Sequence, residues 1–247
     1  DIEDIEEQNR KEARQQYAER QEKKFHRLAS FSLDPENKSK YCEKEKEWSQ
    51  ETEVRYKVPD EVKVPRSDTP QIMIDLMDQY TTDECIQIDG KSEYAFSYDL
   101  DNDLIFVNPK HPQYEEENYR AVLAHELAHR IDHNEYGSPM HTEFSEAIKS
   151  TEKRILESKE RYQSRLDKNG DLEYDYFVSD IMSCITDNKV IGLYGHESQY
   201  IGKPGYTELE IFADVFAALY QGDDETVSFI KNELPEIYET FFKILRG

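Results

Sequence analysis

The residues with the clearest capacity for chemistry form the run His125-Glu126-Leu127-Ala128-His129. On a helix, positions four apart are separated by about 40° around the axis and ~6 Å along it. Two imidazoles so placed reach one zinc ion from one face. The glutamate between them is offset to the side, where it can take a proton from an attacking water. The flanking residues fit the same purpose. Tyr119, Leu123, Leu127 and Ile131 make an apolar stripe, and His125, His129 and Asp132 make a second one. Ala121, Ala124 and Ala128 are small enough to leave room for ligand and substrate. Asp132 is placed either to accept the second ring N–H of a ligating histidine, which would fix its tautomer, or to be an ordinary surface charge.

A tetrahedral catalytic zinc site takes three protein ligands and keeps one position open. His133 is of suitable type, but it sits about 12 Å along a straight helix from His125. No glycine between His129 and His133 turns the chain, so His133 is expected behind the site or in solvent. The better source of a third ligand is Glu208-Leu209-Glu210-Ile211-Phe212-Ala213-Asp214-Val215-Phe216. Ile211, Phe212, Val215, Phe216 and Leu219 form an apolar face there, and Glu210 and Asp214, four apart, share another. Such a pair can supply one ligand and one supporting carboxylate. An amphipathic helix with solvated acids is the competing reading.

The elements that must position these residues are mostly helical. Residues 3–31 read as a long exposed helix with Glu6–Arg10, Glu7–Lys11 and Glu19–Lys23 pairs in the favourable i,i+4 order. Asp34-Pro35 starts a second helix through Trp48, so residues 1–53 form a helical-hairpin arm. Residues 54–66, with Pro59 and Pro65, read as an extended linker. Residues 67–247 are expected to form the main domain. Pro70 opens a short amphipathic helix. Segments 84–88, 93–98 and 104–108 read as strands of a small antiparallel sheet, with a turn from Asp99 to Asp103. That turn and the stretch from Asp167 to Asp175 lack the pattern of a calcium loop. Pro112 and Glu115, Glu116 and Glu117 suit the start of a helix running to about Gly137. Further helices are expected near 143–166, 173–187, 207–221, 224–233 and 235–246, with a glycine-rich loop at 192–205. The fold class is α+β, predominantly helical.

Composition narrows the partners. Of the net charge of −23, residues 1–50 carry −2 (11 Lys/Arg, 13 Asp/Glu) and the rest −21 (20 basic, 41 acidic). Such a surface does not neutralise phosphates, which argues against nucleic acid, and it favours basic peptides by steering or serves solubility alone. No apolar run reaches the ~18 residues of a membrane helix. Residues 1–12 are mostly acidic and lack the apolar stretch of a secretory signal. Cys42, Cys85 and Cys184 are far apart and odd in number, so reduced thiols are expected rather than a disulfide framework.

The helix from His125 to Asp132, followed much later by Glu210-Ile211-Phe212-Ala213-Asp214-Val215-Phe216, resembles the zinc peptidase domain of anthrax lethal factor and its relatives. The resemblance implies a zincin-like fold, a third zinc ligand at Glu210 and a supporting acid at Asp214. It also implies a catalytic tyrosine: Tyr194-Gly195 matches the family's Tyr-Gly pair, and the extra residues before Glu210 leave Tyr200 and Tyr206 as alternatives. His196 in the same loop has a substrate-side or a solvent-facing role. The stretches Gln16 to Gln21, Leu33 to Lys38 and Glu47-Trp48 resemble the helical segment of tailed-phage minor capsid (head morphogenesis) proteins, some of which carry a C-terminal domain of this peptidase type.

These readings imply a zinc-dependent peptide-bond hydrolase with Glu126 as general base and a peptide or protein substrate. A tyrosine from the 194–206 loop would donate to the oxyanion, and the strand at 104–108 would align an extended peptide by edge pairing. The phage resemblance implies a virion-associated protein whose N-terminal helices dock on a capsid or portal partner. A structural head-assembly module with a zinc-binding but non-catalytic scaffold is the alternative. A toxin or effector acting in a host cytoplasm would share the chemistry.

Overall fold

The computed structural model describes residues 58, 60–89, 92, 94–108, 119–169, 171–195 and 204–247. The helical-hairpin arm, Cys42, the helix start at Pro112, and His196 and Tyr200 lie outside the described residues. Eight α-helices and three strands are described: α1 (Gln71–Tyr80), β1 (Ile86–Ile88), β2 (Phe96–Asp99), β3 (Leu104–Val107), α2 (Tyr119–Ile131), α3 (Thr142–Glu157), α4 (Lys159–Leu166), α5 (Leu172–Ile185), α6 (Tyr206–Gln221), α7 (Asp224–Glu233) and α8 (Pro235–Arg246). The architecture is α+β and predominantly helical. Among the described residues no helix is long and apolar enough to cross a membrane.

The sheet corrects one expectation. Its order is β1-β3-β2, with β2 antiparallel and β1 parallel to β3, so it is mixed rather than antiparallel. The reason lies in the connections. β2 and β3 are joined by a tight turn, and tight turns make antiparallel neighbours. Asp99 Oδ1 accepts from the N–H groups of Asp101 (2.8 Å) and Asn102 (3.2 Å), and Asp103 closes the turn at φ 55°, a left-handed position that Asp tolerates. The longer stretch between β1 and β2 carries the chain past β3 instead. β3 therefore has a neighbour on each side, and it cannot align a peptide by edge pairing. β2 holds the outer edge nearest α2.

The linker reading also changes where the structure describes it. Asp60–Lys63 forms a 3-10 turn rather than an extended strand. Val58 and Val62 are buried in the main core, and the Arg66 N–H donates to the Tyr220 carbonyl at 2.9 Å. Val58 and Val62 anchor the segment, whereas Val64 is exposed.

α2 and α6 pack against each other and place the site. The apolar stripe of α2 enters the core: Leu123, Leu127 and Ile131 are all fully buried, each contributing roughly 1.5–3 kcal/mol. α6 is buried on every side from Glu210 to Tyr220, as expected for a helix crossing the middle of a domain. After Ile131 the helix widens into a π turn, Asp132–Tyr136, which Gly137 ends at φ 65°. The helix expected over 143–166 breaks at Ser158 into α3 and α4, which turns Tyr162 toward Glu233 of α7 (hydroxyl to Oε2, 3.1 Å). Cys85 and Cys184 are free and buried.

Candidate metal centre

Helical spacing delivers both histidines of α2 to one spot on α6. His125 Nε2 lies 3.2 Å from Glu210 Oε2, and His129 Nε2 lies 3.4 Å from the same oxygen. One atom from each of the three residues falls within 4.8 Å of the others, a group able to hold a metal ion. The two rings stand edge-on, with centroids 4.5 Å apart at 87°. His125 and Glu210 are buried, and His129 is partly open, so the group faces outward on one side.

Asp214, one turn beyond Glu210 and fully buried, lies with Oδ1 2.8 Å from His125 Nδ1. Neither of its oxygens, nor His125 Nδ1, meets the geometry of a full hydrogen bond, so the contact is a close approach of carboxylate and ring. A carboxylate this close favours a proton on Nδ1 and leaves Nε2 as the ring atom facing Glu210. Solvated acids on an amphipathic helix are thus excluded for both residues. Burying carboxylates costs several kcal/mol each unless a positive charge accompanies them, and no Lys or Arg is buried among the described residues. In the protein alone a proton on His125 answers the two acids. Burial would lower its pKa, but the facing carboxylates of Asp214 and Glu210 outweigh that and hold it well above its ordinary value. A cation among the three ligand atoms answers the same imbalance.

Asp132 does not support a histidine. Its Oδ1 accepts from the Ser138 N–H at 2.8 Å and its Oδ2 from the Ser138 hydroxyl at 2.7 Å, which ties the π turn to the segment after it. No hydrogen bond or ion pair joins it to His125 or His129 in the described residues. Burial raises its pKa to about 7 despite those two bonds. A raised folded pKa gives stability that is complete below the unfolded value and is lost as pH rises through the folded one. Asp132→Asn should therefore remove a loss of stability between about pH 4 and pH 7, on the order of a few kcal/mol. Urea unfolding of both proteins across that range measures the difference. Parallel pH profiles would show that Asp132 ionises alike in both states.

His133 sits on the π turn, buried, with its ring 5.9 Å from that of Tyr98. It is outside the ligand group, as the helical spacing required, and it is not exposed. Glu126, between the two histidines, is half-buried, and its Oε2 accepts from the backbone N–H of Tyr98 on β2 at 2.7 Å.

Of the three candidate tyrosines, Tyr206 at the start of α6 hydrogen-bonds Glu210. Burial first, then the charge and hydrogen bond of Glu210, hold its phenol protonated. Tyr194 packs its ring on Tyr176 at 5.4 Å, and its backbone N–H donates to Ser179 Oγ at 3.1 Å. α5 contributes a face that the sequence reading missed. Tyr176, Asp180 and Cys184 follow one another at four-residue spacing, all buried. The Tyr176 hydroxyl is raised well above its usual pKa by burial and then by Asp180, Asp214, Glu126 and Glu210. The Cys184 thiol is raised by burial and then by Glu210, Asp214, Asp180 and Glu208. The four-residue spacing of Tyr176, Asp180 and Cys184 was the available signal, masked by Asp175, Ser179 and Ser183 on the same helix.

No protein-family model, curated protein or solved structure matches this chain.

Proposed function

We propose that this chain is a zinc-dependent peptide-bond hydrolase. The observation that carries the reading is the convergence of His125, His129 and Glu210, with Glu126 one residue from the first ligand and its carboxylate against the adjacent edge strand. Two imidazoles and one carboxylate with one side open form a ligand set of catalytic zinc. Tetrahedral bonds of about 2.0–2.2 Å put neighbouring ligand atoms roughly 3.3–3.5 Å apart, and the separations from Glu210 Oε2 are 3.2 and 3.4 Å. Zinc held there would polarise the scissile carbonyl and lower the pKa of water.

The protein's own groups then have distinct tasks. Glu126 takes the proton of the attacking water and delivers it to the leaving amine. Tyr206 keeps its proton and hydrogen-bonds Glu210 through it, which orients that ligand; it would serve a developing oxyanion only by turning the same O–H away from Glu210. Asp214 holds His125 in its ligating tautomer. β2, rather than β3, is the strand beside which an extended peptide would lie.

Metal quantification on the purified chain, run beside a peptide-library cleavage screen, tests the reading. The expected result is about one zinc per chain and cleavage that a chelator abolishes. A chain that binds no metal under saturating zinc would overturn it. A zinc-loaded chain that cleaves nothing would favour the non-catalytic scaffold.

A further inference from the structure

We propose that Tyr98, braced by Asp103 and Arg130, is the positioning residue that aims the carboxylate of Glu126. The kinetic consequence rests on the hydrolase reading; the anchorage does not. Tyr98 links β2 to α2 directly through its N–H and, by way of Asp103, through its hydroxyl. Tyr98 pairs with Ile105, while the neighbouring Ala95 carbonyl accepts from the Asn108 N–H. The alternation of an antiparallel ladder then turns the Tyr98 N–H away from β3, where it donates to Glu126 Oε2 at 2.7 Å. The Tyr98 hydroxyl donates to Asp103 Oδ1 at 2.8 Å.

Asp103 is itself gripped from α2 and the turn after it. Arg130 donates to its Oδ1 through Nε (3.3 Å) and to its Oδ2 through Nη2 (3.1 Å), and Asn134 Nδ2 donates to Oδ1 at 2.8 Å. Arg130 lies one turn after Glu126, so the two share a face of α2. Its Nη1 donates to the Tyr80 carbonyl at the end of α1, and its guanidinium lies over the Tyr80 ring, 5.6 Å from the centroid. The strand is thereby fixed to the helix at two points, one of them the acid expected to act as base. With Oε2 held on a backbone N–H, rotation of the carboxylate is restricted and the second oxygen is the one left to take a proton. The bracing residues are not members of the ligand group, so aim and metal retention can be tested separately.

Two variants of the full chain, Tyr98→Phe and Arg130→Met, test this. Amide hydrogen exchange by NMR should accelerate about tenfold or more at position 98 in both, on the scale of one lost hydrogen bond of local protection. The amides of Ser97 and Phe106, which face each other across the ladder, should keep their rates. In the hydrolysis assay kcat should fall about 10–100-fold, the usual cost of a misplaced group, with KM within about twofold and metal content unchanged. In a Glu126→Gln background, Tyr98→Phe should leave the residual rate unaltered. Unchanged exchange at position 98 in both variants would overturn the proposal, as would acceleration spread evenly over β2. If the parent chain cleaves nothing, the hydrolase reading fails and the exchange data still decide the anchorage. If the parent cleaves, Glu126→Gln does not, and Tyr98→Phe keeps full kcat, the positioning role alone fails.

Discussion

Glu126→Gln is expected to retain the metal and to lose about 10²–10⁴-fold of kcat for peptide hydrolysis, the range that general-base catalysis supplies. The substitution is nearly isosteric. A glutamine carbonyl can still accept from the Tyr98 N–H, which Glu126 Oε2 meets at 2.7 Å, so the side chain keeps its anchor on β2. The three ligand atoms of His125, His129 and Glu210 are untouched. What disappears is basicity alone, since an amide does not take a proton from water at neutral pH. Zinc content, circular dichroism and kcat on one peptide from the library separate the possibilities. Parent-like metal and fold with a collapsed kcat place the base at Glu126. Full activity would reject that role, and Asp180, the next buried acid in the field of Tyr176, would become the first residue to examine.

The helix bearing both histidines was legible because its information is local. Spacing of 3.6 residues per turn assigns Leu123, Leu127 and Ile131 to the core, where they are fully buried, and His125 and His129 to another face, where His129 is partly open and His125 is covered beside Glu210 and Asp214. The same holds for Glu210 and Asp214, whose four-residue separation put both acids on one side of α6. Their burial was not legible, because an acid on an apolar helix looks alike whether it faces water or a metal. Non-local pairing was harder still. Nothing in residues 86–107 specifies that β1 runs parallel to β3, since strand order depends on how the chain crosses the sheet. Asp132 was misread because its partner, Ser138, is reached only through the π turn, which helical periodicity does not anticipate. In the sequence Tyr194 comes first, on its Tyr-Gly pair, and Tyr206 is an alternative. What separates them is the start of α6, which brings the Tyr206 hydroxyl to Glu210 while Tyr194 is drawn onto α5 by Ser179.

Substitutions in the ligand set should rank by their distance from the metal. Asp214→Asn removes the charge behind His125, 2.8 Å from its Nδ1, and keeps a carbonyl that can accept the same ring proton. Outer partners of this kind are worth about 10–100-fold in metal affinity. Glu210→Gln and His129→Ala delete ligands outright, and both should exceed that range. Competition with a calibrated chelator measures all three. Stability gives a second readout. A ligand at 100 times its Kd stabilises the folded chain by about 2.7 kcal/mol, or roughly 5–11 °C in Tm for a domain of this size. The parent should gain that much on zinc addition, Asp214→Asn less at equal zinc, and Glu210→Gln almost nothing. All should remain folded without metal, because Leu123, Leu127 and Ile131 of α2 and Phe212 and Phe216 of α6 are each fully buried in the shared core, and none of these is altered. Equal zinc-dependent gains in the parent and in Glu210→Gln would mean that the metal sits elsewhere. The buried acids of α6 would then answer only the proton on His125, and the three converging side chains would be a charge relay within the core rather than a metal site.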